Sequence, residues 1–416
     1  MKKIFYPLFF LLFLSELSFA QYDCSSNRFR DFNFFSNWDL TSDVEFGANT
    51  AVGSSQTQIL KMDIYEPQGD NLQKRPLVIM AFGGSFISGQ RSDVAYLCKV
   101  FAKLGYVSAT IDYRVGFFFP DQTTTTLAVV RAMHDMKAAV RYFYKDAQTS
   151  NNYRVDTNLI FVGGVSAGAI TAIHAAYLDN DSEIPSYLYP DTAGLGGVAG
   201  LSGNQGYSSK VAGVVSYSGT IGDTSWINTG DVPIMSIHKT GDQTVPFGTA
   251  EVSVSGIPTG LVADGSQSIH IRANHLQIPN RFLIYPGSGH VEYITPGDAH
   301  YNEALGFTRD FLADIVCGDM TFEPSNVTLS VNELSDFSNN ISIYPNPVND
   351  ELNISLTKDF GELNYELMDI NGRMVYSKQT NNKYLQIDRN KLPAGMYLLR
   401  ILDDTNVLHT EKIVLN

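Results

Sequence analysis

Gly164-Val165-Ser166-Ala167-Gly168 constrains the fold of this chain more than any other stretch. It follows the apolar run Leu159-Ile160-Phe161-Val162 and precedes Ala169-Ile170-Thr171-Ala172-Ile173-His174-Ala175-Ala176, a small-residue stretch of helical character. Strand, G-x-S-x-G and helix in that order make a nucleophile elbow. The turn is so tight that the residues two before and two after the serine nearly touch. Glycine lacks the Cβ that would collide there, so Gly164 and Gly168 let Ser166 stand at the carboxyl edge of a sheet. Ala167 then opens the helix with a backbone N–H free to donate to an oxyanion.

The surrounding pattern fits such a sheet. An alternating strand runs over Ile59–Tyr65 and ends at Pro67, and an apolar strand over Pro76–Phe82 leads straight into Gly83-Gly84-Ser85. A helix is expected over 92–104 and a strand over 106–112. A long helix over 127–147 has Val129, Met133, Met136, Val140 and Phe143 at helical spacing. Further strands are expected at 211–217, 232–237 and 282–285, with a last helix over 301–315. Continuous apolar strands alternating with helices mean a mainly parallel α/β sheet flanked by helices on both faces. Ligands then collect at the carboxyl ends of the strands. Residues 21–50 are polar and aromatic without a period.

A serine hydroxyl needs a base to take its proton, and the base needs an orienting carboxylate. His238-Lys239-Thr240-Gly241-Asp242 follows one strand and Pro286-Gly287-Ser288-Gly289-His290 follows another, so both loops sit at carboxyl ends. The order Ser166, Asp242, His290 suits the elbow. His290 is therefore the expected base and Asp242 its orienting acid. Asp242 could instead cap a turn; Asp231 and Asp223 are weaker choices because they lie before or on the approach to the strand. His300, His275 and His270 are expected to face solvent or to be packed and satisfied, His238 to support the Asp242 loop, and His174 to be structural. Gly83 and Gly84 are expected to complete the oxyanion hole begun by Ala167, since converging N–H donors require close backbone approach. The rival reading of that loop is an ordinary glycine-rich turn.

The first twenty residues read as an export signal. Lys2 and Lys3 precede the apolar Ile4–Leu14, Ser18-Phe19-Ala20 offers a cleavage site, and Gln21 is the expected new N-terminus. The apolar core is short for a membrane span, and no later stretch suits one. The net charge of −14 becomes −15 when two Lys and one Glu leave with the signal, which argues against nucleic acid or an anionic membrane surface as partner. Cys98 falls in a helical pattern as a small buried side chain. Cys24 and Cys317 lie near the two ends of the large domain, and an exported chain permits a bridge between them.

Composition shifts after Cys317. Residues 21–318 read as the large domain, 319–340 as a polar linker, and 341–416 as short alternating strands with turns at Asn371-Gly372 and Pro393-Ala394-Gly395, a small all-β sandwich. A carbohydrate-binding or adhesive module is the rival for this segment, but few exposed aromatics are evident to make a sugar platform.

Residues 58–315 resemble the carboxylesterase and feruloyl/acetyl-esterase branch of the α/β-hydrolases, on Pro76–Arg91, Asp112-Tyr113-Arg114, Arg131–Arg141, Gly163–Gly168 and His238–Pro246. The family's oxyanion segment usually reads His-Gly-Gly; here Phe82 replaces the histidine, removing a bracing hydrogen bond but no backbone donor. The C-terminal segment resembles the type A sorting domain of the type IX secretion system of Bacteroidetes, on Tyr344-Pro345-Asn346-Pro347, Asp369–Arg373, Leu392–Tyr397 and Lys412-Ile413-Val414. Together the resemblances imply a serine hydrolase of carboxylic esters that works without metal or organic cofactor. They imply passage through the periplasm and outer membrane by the type IX machinery, to the medium or the cell surface. A serine peptidase of the same fold and a non-catalytic surface-binding protein are the alternatives. Asp179–Lys210 and Gln243–Asn280 are expected either to wall a pocket or to be surface excursions, and Arg114 to pair with a buried carboxylate.

Overall fold

A computed structural model describes residues 22–117, 119–188, 196–325, 340–369, 373–389, 392–402 and 407–416. The chain forms two compact units, Met1–Val327 and Thr328–Asn416. The expected export signal 1–20, most of the expected linker 319–340 and the Asn371-Gly372 turn lie outside the described residues.

The first unit contains, in chain order, β1 (Trp38–Thr50), β2 (Thr57–Pro67), β3 (Arg75–Ala81), β4 (Val107–Ile111), β5 (Val155–Val165), β6 (Gly213–Tyr217), β7 (Thr220–Ile221), β8 (Ile234–Gly241), β9 (Thr249–Val254), β10 (Ile257–Gly265) and β11 (Asn280–Ser288). Its main sheet has the order β1-β2-β4-β3-β5-β6-β8-β11. The β1–β2 and β2–β4 pairs are antiparallel and every later pair is parallel. All residues of β3 and β4 are buried, which requires cover on both faces of the sheet. That cover comes from α1 (Ala95–Leu104), α2 (Gln122–Gln148), α3 (Ala167–Tyr177), α4 (Ser266–His275) and α5 (Tyr301–Cys317). Among the described residues no helix is long and apolar enough to cross a membrane.

One departure from the sequence reading has a plain cause. The edge strand β1 is thirteen residues long but mostly exposed, so nothing in 38–50 had to alternate. The 243–280 stretch contains a hairpin, β9–β10, which with β7 makes a second, three-stranded sheet, followed by α4.

Buried polar side chains of α2 hold the segment 196–204. His134 donates to Gly197 O at 2.6 Å, Lys137 to Val198 O at 3.1 Å, and Arg141 to Ala199 O and Gly203 O at 2.8 Å each. Arg114 pairs with Asp135 at 2.9 Å, both fully buried, and Ser202 joins them. Arg114 thus has the structural role expected of it. The 179–210 stretch divides: 196–204 is strapped to α2, whereas Pro185 and Tyr187 face a cavity described below.

The second unit has β12 (Ile341–Tyr344), β13 (Glu351–Leu356), β14 (Leu363–Asp369), β15 (Met374–Thr380), β16 (Tyr384–Asp388), β17 (Gly395–Leu402) and β18 (Val407–Leu415). They form two antiparallel sheets, β12-β13-β16 and β15-β14-β17-β18. Alternate residues of both, among them Ile354, Leu385, Leu367 and Leu399, share one core, the all-β sandwich expected.

Cys24 and Cys317 are joined in a disulfide, while Cys98 is buried and free. The bridge spans 293 residues and restricts the unfolded chain accordingly. Cys24→Ser is expected to destabilise the first unit by about 2–4 kcal/mol and lower its melting temperature by roughly 5–10 °C in calorimetry.

Three buried histidines are held neutral chiefly by burial. His134 donates through Nε2, His270 donates Nδ1–H to Asn280 at 2.7 Å while stacked on Phe282, and His174 donates Nδ1–H to Ile170 O and accepts the Gly222 N–H. Burial lowers their pKa values, to about 3 for His134 and to about 4 for His174 and His270. In the unfolded chain each takes up a proton near pH ~6.5. The unfolded state then binds more protons, so stability falls as pH drops from about 6.5 toward 4, by up to ~1.4 kcal/mol per pH unit for each histidine. Urea titrations are expected to give a lower unfolding free energy at pH 5 than at pH 7, with His270→Gln flattening that slope by about one proton.

Candidate active site

β5 delivers Ser166 at its carboxyl end, with φ 56° and ψ −119°. A non-glycine residue holds this left-handed conformation only where its surroundings enforce it. Here the Ser166 N–H donates to Tyr217 O of β6 at 2.8 Å. A Cβ on Gly164 would overlap the backbone of Gly168, and one on Gly168 would overlap Ala81 at the end of β3. Both glycines of the motif are therefore required by contact. Ala167 is the first residue of α3, where a backbone N–H has no partner one turn back within its helix.

Asp242 and His290 converge on the serine from the loops after β8 and β11. His290 Nε2 lies 2.8 Å from Ser166 Oγ, and Nδ1 lies 2.6 Å from Asp242 Oδ2. An ionised carboxylate only accepts, so Nδ1 holds the proton and the Nε2 lone pair faces the hydroxyl. The Asp242 carboxylate is saturated with donors. Oδ1 accepts the N–H groups of Thr244 at 2.8 Å and Val245 at 3.0 Å, and Oδ2 is shared by His290 and by His238 Nε2 at 3.2 Å. Burial alone would push this carboxyl up; the bonds from His238 and His290 and the Val245 N–H outweigh it and hold the group well below the ordinary carboxylate range.

The sequence reading left His238 as support for the Asp242 loop, and its contact with the carboxylate itself is more specific than that. Its Nε2 also lies 3.2 Å from Val245 O, a second acceptor, so Nε2 carries the proton; Nδ1 meets Ser266 Oγ at 2.8 Å. Ser218 and Tyr293, which no motif flagged, brace the His290 loop. Ser218 Oγ donates to His290 O at 3.1 Å and meets Tyr293 Oη at 2.9 Å, and Tyr293 donates to Ile237 O at 2.7 Å.

The oxyanion candidates lie against Ser166. A Cβ on Gly83 would come within 3.0 Å of Val165 O and 3.3 Å of Ser166 Cβ. Gly84, Ser85 and Phe86 follow with φ of 123°, 55° and 61°, and Gly84 O accepts the Ile87 N–H at 2.9 Å. Phe82, standing where a histidine is usual, stacks on Tyr113 at 4.3 Å, and Tyr113 Oη donates to Phe82 O at 2.9 Å. The bracing bond is thus supplied from Asp112-Tyr113-Arg114.

The other candidates lie apart or are engaged elsewhere. Asp223 and Asp231 accept the N–H groups of Ser225 and Asn228 at 2.7 Å each. His275 and His300 are exposed, and His270 is packed as expected, although its Nε2 has no partner. A cavity of about 260 Å³ opens beside Ser166 and Ala167, between α2, α3 and the β9–β10 hairpin.

Residues 62–221 match the BD-FAE family, a span that includes Ser166 and ends before Asp242 and His290. Residues 342–416 match the Secretion system C-terminal sorting domain. The chain is 29% identical over 113 residues to gut esterase 1 of Caenorhabditis elegans, covering 26% of this chain and 19% of that one. It is 27% identical over 88 residues to an endo-acting ulvan lyase of Formosa agariphila, covering 21% and 17%. The chain thus spans less than a fifth of the length of these curated relatives. The propionate-bound esterase 2 of Thermogutta terrifontis is similar at a TM-score of 0.47 and 20% identity, over 67% of this chain and 94% of that one. An esterase-like α/β-hydrolase domain is followed, then, by a sorting domain that marks the chain for secretion.

Loss of one charge-assisted donor from a buried carboxylate costs about 1–3 kcal/mol. His238→Phe is expected to slow covalent labelling of Ser166 by a serine-directed phosphonate roughly ten- to a hundredfold, and His238→Gln, whose amide can reach the same oxygen, to recover most of that rate.

Proposed function

We propose that this secreted α/β-hydrolase cleaves carboxylic esters through an acyl-enzyme intermediate. The observation that carries the reading is the unbroken hydrogen-bonded line from Ser166 Oγ through His290 to Asp242. Ser166 attacks the ester carbonyl as His290 Nε2 takes its proton. The N–H groups of Ala167, Gly83 and Gly84 stabilise the tetrahedral oxyanion. His290 then protonates the departing alcohol oxygen, the carbonyl–alkoxy bond breaks, and the acyl group stays on Ser166. Water, deprotonated by the same imidazole, releases the acid and restores the hydroxyl. Asp242 stays ionised throughout and stabilises the imidazolium.

Residues 342–416 support export by the type IX machinery, so the ester is one met outside the cell. Acyl esters of polysaccharides and polyesters are candidates of that kind.

Release of p-nitrophenol from acetate and butyrate esters tests the reading. Ser166→Ala is expected to lower the rate on the order of 10⁴–10⁶-fold. Folded wild type that turns over peptide anilides and no ester would point to a peptidase. Glycan binding without phosphonate labelling would point to a binding protein on a hydrolase scaffold.

A further inference from the structure

The second unit has two outer sheet faces of opposite character. On β15-β14-β17-β18, Met368 pairs with Met374 and with Leu398, and Met396 pairs with Val414. Met374, Met396 and Leu398 are exposed. An apolar, methionine-rich patch of this kind suits a protein partner. Its members lie within or beside 369–373, 392–397 and 412–414, the stretches that carry the resemblance to sorting domains.

The face of β12-β13-β16 is built differently. Strand alternation turns Leu352, Ile354, Leu385 and Ile387 into the core. Register sets the other side: Tyr344 stands opposite Asn353 and Asn353 opposite Gln386, while Ser355 stands between Ser342 and Tyr384. Glu351 and Asp388 face each other at one end. No aliphatic side chain, lysine or arginine of these three strands stands on this side. Its large apolar surfaces are the rings of Tyr344 and Tyr384, 50% and 51% exposed.

Tyr384 is held in place. Although opposite Ser355, it donates from Oη to Asn353 Oδ1, one same-face step along β13, so its ring lies across the sheet. Asn353 Oδ1 also accepts Gln386 Nε2 at 3.2 Å, and Gln386 Nε2 reaches Glu351 Oε2 as well. A ring fixed in this way has little freedom left to lose when a ligand covers it. The two tyrosines sit on the two outer strands, two strand spacings and one same-face step apart, or about 12 Å at Cα. Between them, Tyr344 Oη, Asn353 Nδ2 and Gln386 Oε1 have no hydrogen-bond partner among the described residues. These atoms offer both donors and acceptors. Sugars carry the matching chemistry: C–H groups that pack on the electron-rich face of an aromatic ring, and hydroxyls that donate and accept. Charge selects among sugars, since Glu351 and Asp388, with no cation of the three strands beside them on this face, repel a polyanion.

We propose that the outer face of β12-β13-β16 binds neutral polysaccharide outside the cell, with the rings of Tyr344 and Tyr384 as stacking platforms and Asn353 and Gln386 as partners for sugar hydroxyls. This binding is independent of the ester-hydrolase reading, because no bond is made or broken in it. It gives the sorting domain a second role, on the sheet opposite its apolar patch.

The test is affinity electrophoresis of the full chain carrying Ser166→Ala, in gels containing arabinoxylan, hydroxyethylcellulose or galactomannan. At least one of these neutral polymers is expected to retard the chain, and alginate, a polyanion, to leave it unretarded. Tyr344→Ala and Tyr384→Ala are each expected to weaken binding about fivefold or more, and together to abolish retardation. Met374→Ala, on the opposite sheet, is expected to leave retardation unchanged. Both tyrosines are exposed, so an unchanged melting temperature is expected and separates lost binding from unfolding. No retardation by any of the three polymers, equal retardation by alginate, or retardation intact in the folded double variant would overturn the proposal. So would loss of secretion from cells making the double variant, which would give this face to the export machinery.

Discussion

The close contact of three backbones at Ala81, Gly164 and Gly168 is the constraint from which the rest of the site follows. Strand β3, strand β5 and the first turn of α3 meet there with no space for a side chain. That contact holds Ser166 at its positive φ and sets the start of α3 beside the serine. It also brings the end of β3, and hence Gly83, against Val165. One packing requirement thus positions the hydroxyl and both halves of the candidate donor pair. Parallel pairing of β6, β8 and β11 in turn brings the loops with Asp242 and His290 to the same edge. Electrostatics then acts on parts already placed.

Most of this frame was legible because buried parallel strands must be continuously apolar. Leu77–Ala81, Val107–Ile111 and Leu159–Val162 read as strands for that reason, and the elbow could be read from two glycines. His290 and Asp242 were legible because each follows such a strand within a few residues. Elements with less to bury left less trace. β1 is a mostly exposed edge, and its strong demands on sequence are confined to Phe46, buried in the core, and Gly47, where a side chain would strike the Ser202 carbonyl. The start of α2 was missed because Thr123–Thr126 are not apolar; Asp121 caps it by accepting the Thr124 N–H at 2.7 Å.

The contacts around the candidate triad were harder still to read, since they depend on geometry rather than residue type. Ser218, the residue just after β6, braces the His290 loop from a backbone with φ of 55°, which no motif announces. Tyr113 offsets the absent histidine at position 82 from thirty-one residues away. In both cases a backbone carbonyl is the receiving group. Any side chain with a donor at the right distance can serve one, so such roles pass between residue types without leaving a pattern.

The Cys24–Cys317 bond makes the first unit topologically a ring, closed between its first described turn and the end of its last helix. A single peptide-bond cut anywhere within the ring leaves the two pieces covalently attached, so nicking by extracellular proteases does not by itself shed part of the sheet. The sorting domain lies wholly outside the ring, beyond residue 341. One cut between them separates the two units and opens nothing. The chain is thus readily severed between the two units and reinforced within the ring.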